Sequence, residues 1–410
     1  MMGRPYQSLG DLKRKQGEVS VIKMCRRILR VILLLLAFTP ILFVSGAPEN
    51  RLGHRMFYDP VGERVMLYGG ANWDDGYTFY DDLWEYDYES GFWLEVQTSS
   101  KPDGRFNAMV TYIPERHGLF MFGGFSHRDR VADTWLLDLE TMVWTELHPI
   151  DSPSPRSDSS IAYDQDNDVV VLFSGYREDE TKTQETWVYS FDGNNWVRRI
   201  PDNTPLHQYG HYMVYAPETG QLLMYPGHWS IVSDGQMVNH GFGGNIWEYD
   251  SGANRWTEHE SPSVPPGRYW SNVAYDSNRN RVVLFGGNGA RDFDDTWAYD
   301  IDTGEWEQAS GDTRPAKRGS SNMAYDPEHD VFVMFGGHDT TGSSLGDTWI
   351  LDADTLTWST ASSTTTSEDS TVIPAPISED STDTFIPGFP VWTTLGTILL
   401  VVTYWTRKHR

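Results

Sequence analysis

The sequence of 410 residues contains a single cysteine, Cys25, close to the N-terminus. Residues 48–406 therefore offer no disulfide, no cysteine-ligated zinc site and no thiol nucleophile. Lysine is nearly as scarce there, with Lys101, Lys182 and Lys317 alone. The same stretch sets 21 basic residues against 56 acidic ones, and the whole chain has a formal charge of −26. Such a surface repels polyanions, which excludes nucleic acid as a partner, and it also suits a salty medium. Nowhere between the two ends do apolar residues recur at helical spacing, so a helical body is excluded. Long apolar runs are confined to one place at each end.

At the first end, a basic flank (residues 24–30) precedes the apolar stretch 31–44 and the small residues Ser45, Gly46 and Ala47. This pattern predicts an extension and secretory signal over residues 1–46, with an uncleaved anchor as the alternative. At the other end, residues 359–384 include 14 Ser and Thr and no aromatic side chain, so 361–384 is expected to be an extended stalk. Residues 385–406 are mostly apolar, with Trp392, Tyr404 and Trp405 toward the ends. They predict a transmembrane helix with the basic tail 407–410 inside. Pro387-Gly388-Phe389, the apolar run and the basic terminus resemble the C-terminal sorting signals of archaeal surface proteins. The layout predicts a single-pass protein of the cell membrane with its body outside.

Tryptophan supplies the internal order. Twelve of the 17 Trp fall in pairs nine residues apart: 84/93, 135/144, 187/196, 247/256, 297/306 and 349/358. Upstream lie Tyr58, Tyr112, Tyr163, Tyr215, Tyr275 and Tyr325, each followed eleven residues later by a glycine-containing pair. From the second Trp of one unit to the next Tyr is always 19 residues, so six units tile residues 51–358. Each reads as four short strands, rich in β-branched and aromatic residues and bounded by Asp, Gly, Pro and Asn. Repeated four-strand units of this length point to a β-propeller.

Tyr-Asp, an apolar strand ending Gly-Gly, then Asp-Thr-Trp-x-Tyr-Asp and a second Trp resemble kelch repeats, over about three quarters of the chain. The resemblance implies an all-β, six-bladed kelch-type propeller with four antiparallel strands per blade. Its body is expected over 47–360, with blades near 51–100, 101–150, 151–200, 201–260, 261–310 and 311–360. The first and last blades are expected to meet through side chains alone. Ser174 and Pro226 replace the first glycine in units three and four, which should loosen two corners. Function stays open, because kelch proteins include binding scaffolds, sugar-handling enzymes and copper oxidases.

All variation in length falls between the second and third strands, where the glycine pair and the next Trp lie 10 to 20 residues apart. These loops share one rim with the segments preceding each first strand. Variable loops on a rigid frame are where binding usually resides. Trp73, Trp229 and Trp270, outside the paired set, map to this rim with Tyr77, Phe79, Tyr80, Phe242 and Tyr269. Exposed rings there suit a sugar or an apolar anchor of a partner, unless the loops bury their own rings. Seven residues before each Tyr stands Arg51, Arg105, Arg156, Arg268 or Arg318, with Gln208 as the exception in unit four. Two readings are open for these arginines. They ring the rim's mouth and attract a carboxylate, or they bond carbonyls of the neighbouring blade.

Unit four also brings His207, His211, His228 and His240 to this rim, weak candidates for zinc or copper without a supporting His-Glu-x-x-His helix. No metal or cofactor is therefore expected. The Asp after each third strand, such as Asp87 and Asp300, is expected to close a turn. The leading functional reading is a surface-displayed module that binds an extracellular glycan or protein through the variable-loop rim. The alternative is a sugar-active enzyme on that rim, an acidic-sugar hydrolase or epimerase-like. A copper oxidase is disfavoured, since its cysteine-linked tyrosine has no counterpart here.

Overall fold

The computed structural model describes residues 46–361 apart from 75, 128, 178–182 and 234–235. The expected signal, stalk, membrane span and tail fall outside the described residues, save for the border positions 46 and 361. Among the described residues no helix is long and apolar enough to cross a membrane.

Six four-stranded antiparallel sheets dominate, each made from consecutive strands of one repeat. The fifth comprises Asn272–Asp276, Arg281–Phe285, Thr296–Asp300 and Glu305–Gln308. The others lie within 55–96, 109–147, 160–199, 212–259 and 322–360. Helix is reduced, among the described residues, to one turn at Pro114–Arg116. The invariant spacings have a register behind them. Tyr275 faces Val282, Val282 faces Tyr299 and Tyr299 faces Trp306, one row across the whole sheet. Tyr58, Val65, Tyr86 and Trp93 make the same row in the first sheet. At the outer hairpin Asp300 Oδ1 accepts the Thr303 amide at 2.7 Å, and Asp87 does the same for Ser90 at 2.8 Å, closing the turns as expected.

A lone four-stranded sheet leaves both faces wet; here each faces the next sheet across an apolar layer. The second Trp of every unit packs on the aromatic residue just before the preceding unit's glycine-containing pair. The pairs are Trp144–Tyr68, Trp196–Phe122, Trp256–Phe173, Trp306–Tyr225 and Trp358–Phe285, with ring centroids 4.7–5.8 Å apart. The sixth pair, Trp93 on Phe335 at 5.5 Å, joins the first sheet to the last. Six core clusters, one between each successive pair of sheets, complete the cycle. Burying one such indole is worth on the order of 2–3 kcal/mol. Four of the indoles also donate to a threonine of the preceding sheet: Trp93 to Thr348, Trp196 to Thr134, Trp256 to Thr186 and Trp358 to Thr296.

The first and last sheets do not meet through side chains alone. Main-chain bonds run from Gly53 N to Ser320 O at 2.8 Å, Arg51 N to Leu345 O at 2.9 Å and Gly337 N to Arg51 O at 2.9 Å. Gly336, at φ 58°, permits this approach: a Cβ there would stand 2.6 Å from the Arg51 carbonyl. Of the two altered corners, Ser174 keeps the left-handed backbone at φ 58° and donates to the Gln208 carbonyl at 2.7 Å. Pro226 cannot take that conformation, and its corner differs.

The two ends of the central space are unlike. At the variable-loop end, Gly53, Asn107, Asp158, Gly210, Trp270 and Ser320 occupy equivalent positions, all left-handed with φ between 48° and 66°. Asn107 N donates to Gly53 O, Gly210 N to Asp158 O, Trp270 N to Gly210 O, Ser320 N to Trp270 O and Gly53 N to Ser320 O, at 2.8–3.0 Å. The remaining gap is spanned by Asn107 Nδ2 donating to Asp158 Oδ1. This ring caps the axis. Below it the first strands of all six sheets line a cavity of about 440 Å³, which reaches exposed Pro60, Pro114 and Pro217 at the opposite, short-turn rim.

Candidate functional site

Above the cap, each unit forms a small ladder between the residue after its arginine (Gln208 in unit four) and the residue after its glycine-containing pair. The partners are Leu52–Ala71, Phe106–Phe125, Ser157–Tyr176, Tyr209–His228, Tyr269–Asn288 and Gly319–His338. The ladder fixes the backbone, while the repeat leaves the side chain free to vary. In units three to six, five of these positions hold half-buried rings, Tyr176, Tyr209, His228, Tyr269 and His338, which Phe242 and Trp270 join into one set. Tyr209 lies 5.6 Å from Tyr176, 5.1 Å from His228 and 5.5 Å from Tyr269. Tyr269 stacks on Phe242 at 5.8 Å with ring planes 6° apart, and touches Trp270 at 4.8 Å. Trp270 meets His338 edge-on at 6.1 Å, and His240 adds an exposed ring 5.6 Å from His228. Arg130 places its guanidinium 4.5 Å from the Tyr176 ring centre and 5.6 Å from Phe125, carrying the line toward unit two.

Trp270 is the pivot. A bulky residue at φ 53° is uncommon, and its cap position imposes that conformation. Its Nε1 donates to Asp158 Oδ1 at 2.9 Å, and Asn107 and Ser157 also donate to this carboxylate, which thus holds three donors. Burial, together with Tyr269, Asp158 and Tyr176 nearby, pushes the Tyr209 hydroxyl well above its usual range, leaving it a neutral donor.

The arginines are placed otherwise than a charged mouth requires. Arg51, Arg105, Arg156, Arg268 and Arg318 are all buried beneath the rim. Each donates to the carbonyl of the first residue in its own unit's glycine-containing pair at 2.9–3.1 Å, not to the neighbouring blade. Each also pairs with a carboxylate two residues before the first Trp: Asp82, Asp133, Glu185, Asp295 or Asp347, at 2.5–2.7 Å. The indole of that Trp donates to the same carboxylate, Trp297 to Asp295 at 2.9 Å for example. Burial pushes the Asp295, Asp347 and Glu185 carboxyls upward, but hydrogen bonds and charge from the arginines outweigh it and hold them below the ordinary range. Unit four solves the same corner without charge. Gln208 Oε1 accepts the Gly227 amide at 2.8 Å, and Asn245 stands where the others carry an acid.

The other expected residues scatter. Trp73, 38% exposed, packs on Phe106 at 4.9 Å, and Tyr77, 55% exposed, lies 6.2 Å from it. Trp229 sits apart from the rings around Tyr209, covering Gly241 on the opposing strand. His211 is buried with its Nε2 3.0 Å from the Phe173 carbonyl, and burial drives its pKa down to about 3. It therefore does not face the loop pair His228 and His240, while His207 approaches Ser230 at 3.5 Å. Among the described residues no three His, Cys, Asp or Glu gather as a metal site. Tyr176, Tyr209, His338 and Asp158 were not singled out from sequence; their shared signal is position, one or two residues beyond the arginine or just beyond the glycine-containing pair.

The chain spans much less than two thirds of the curated relatives that it matches. It is 26% identical to Mei4-dependent protein 6 of Schizosaccharomyces pombe over 45% of this chain and 29% of that protein. Adagio protein 3 of Arabidopsis thaliana is 27% identical over 56% of this chain and 37% of the relative. Kelch domain-containing protein 2 of Bos taurus is 28% identical over 34% of each. The KLHDC2/KLHL20/DRC7 Kelch-repeats domain matches residues 38–218, 147–312 and 227–376, overlapping placements that cover most of the sequence. Repeat register, sheet architecture and this match agree: the chain belongs to the kelch-repeat β-propeller family.

Proposed function

We propose that the six sheets are the blades of a closed six-bladed propeller that is displayed on the cell surface and binds a protein or glycan through its variable-loop rim. The observation that carries this is the crescent of half-exposed rings from Tyr176 to His338, held on a hydrogen-bonded frame. Rings fixed by a frame lose little freedom on binding, and aromatic groups of this kind dominate the affinity of interfaces. Flat ring faces beside tyrosine hydroxyls suit a sugar ring or the apolar anchor of a partner. Kelch membership supports the protein-binding form. The sequence patterns read as a leader over residues 1–46 and a span over 385–406 support display of the crescent outside the cell.

A screen of glycans and surface proteins against the intact chain identifies the ligand. Trp270→Ala, Tyr209→Ala and Phe242→Ala should each weaken it by on the order of 2 kcal/mol. Asp87→Ala and Asp300→Ala on the opposite rim should leave affinity unchanged. Unaltered binding by all three folded ring variants would sink the site. Protease added to intact cells should release a soluble propeller; resistance until lysis would overturn the topology.

A further inference from the structure

We propose that the central cavity is a second binding site, independent of the aromatic rim, for a small organic monoanion whose carboxylate is held by Arg55. Three residues before each repeat tyrosine, the six units place Arg55, Met109, Ser160, Tyr212, Asn272 and Asn322 in one layer just beneath the cap. The repeat does not specify this layer: a single cation appears in it, with hydroxyls and amides around it. Arg55 is 9% exposed and lines the cavity. Its Nε donates to the Ala108 carbonyl at 2.8 Å, and its Nη1 reaches the His54 carbonyl at 3.3 Å and the Tyr212 hydroxyl, from the fourth sheet, at 3.5 Å. Its Nη2 donates to no described residue.

The contrast with the other buried arginines is direct. All five of those have a carboxylate within 2.7 Å, whereas none of the described acids pairs with Arg55. The acid whose charge reaches the same neighbourhood, Asp158, is committed to Asn107, Ser157 and Trp270. A buried guanidinium without a counter-charge is costly, and a planar carboxylate is the partner that its fork fits. Ser160 adds, in the wall of the same cavity, a hydroxyl with no hydrogen-bond partner among the described residues.

The rest of the cavity sets the ligand's body. Below the polar layer its walls are apolar, among them Met56, Val110, Ile161, Val214 and Ala274, and they lead to the ring of repeat tyrosines at the mouth. A volume of about 440 Å³ lies within the range of small-molecule pockets. Exposed Glu63, Glu115, Asp166, Glu218 and Glu328 stand on the turns around that mouth. Their field opposes multiply charged anions, so one negative charge on an apolar or aromatic body is the form admitted.

The test is calorimetric titration of the full chain with 3-phenylpropanoate, its neutral amide 3-phenylpropanamide, and citrate. The acid should bind saturably at one site, the amide at least about tenfold more weakly, and citrate more weakly than the monoacid. Arg55→Met should weaken the acid by a similar factor and abolish its advantage over the amide. Ala274→Phe, which adds bulk at the cavity wall from the fifth sheet, should weaken both. Equal binding of acid and amide, no saturable binding of the acid, or undiminished binding to either variant would overturn the site. Citrate binding as tightly as the monoacid would overturn the monoanion preference. Should Arg55→Met not fold, the acid–amide comparison on the unaltered chain decides.

Discussion

The two rims of this propeller come from the same six units and differ in almost everything a ligand would meet. At the variable-loop rim the axis is capped by a ring of left-handed residues, and the surface above is aromatic. At the short-turn rim, where spacing never varies, the axis is open and carboxylates surround it. Length variation thus marks where surface has diversified, not where the central cavity opens.

The comparison breaks most sharply at the corner arginines. Arg268→Met would strand the half-buried Asp295 carboxylate and its Trp297 donor, and should cost about 3 kcal/mol in urea unfolding. Unit four supplies the control, because its corner uses Gln208 and Asn245 without charge. Adding Asp295→Asn to Arg268→Gln should therefore recover more than half of the loss from Arg268→Met. No recovery would mean that the neutral corner depends on Pro226 and the long fourth loop.

Acid should separate the rims next. His211 lies just under the cap, buried and neutral, with its pKa lowered to about 3 by desolvation. An unfolded histidine binds a proton near 6.5, so between pH 6.5 and 3 the unfolded state holds more protons and stability falls as pH falls. At pH 5 this group alone should cost on the order of 2 kcal/mol relative to pH 7.5. Burial likewise lowers His54, at the same level of the first sheet, well below its usual value. On the short-turn rim, hydrogen bonds from Arg279 and Arg116, followed by those of Tyr325 and Tyr163, outweigh burial and hold Asp330 and Asp168 below the carboxylate range. Those depressed carboxyls contribute stability above their unfolded values and lose it only as pH falls through the lower folded ones. Hydrogen exchange at pH 5 should accordingly show the capped end loosened first, and His211→Gln should flatten the pH dependence between 6.5 and 4.

Much of the frame was legible because the residues that pack are those that repeat. The Tyr–Gly–Trp–Trp spacing is the cross-sheet row and the sheet-to-sheet indole contact, and both demand fixed register. The arginine's role was only half legible, since repetition announces a structural job without naming the partner. The partner was nevertheless in the sequence: the residue two before the first Trp is acidic in five units and Asn245 in the one unit where Gln208 replaces arginine. The crescent was harder to read. Trp270 was visible as a Trp outside the repeat, but Tyr209 and His338 matter through a backbone ladder that no spacing announces. The cap gave one clue, glycine at positions 53 and 210, while Asn107, Asp158, Trp270 and Ser320 take the same left-handed conformation without it.

The smallest expected effect asks how uniform the frame under the two rims is. Four inter-sheet indoles donate to the threonine just before the preceding unit's first Trp, but Trp144 and Trp306 have buried Nε1 atoms without a partner among the described residues. In front of those two, the threonine position is Leu83 and Ile246. Thr348→Val keeps the shape and removes the acceptor from Trp93, so it should cost about 1 kcal/mol. At position 246 the sign should reverse. Threonine normally loses to valine at a buried site, because its hydroxyl must be desolvated. Here the hydroxyl would meet a waiting indole N–H, and Ile246→Thr should be at least as stable as Ile246→Val in matched unfolding curves. If valine wins at 246 by the usual margin, the Trp306 N–H is not stranded, and the sheets differ less than their sequences imply.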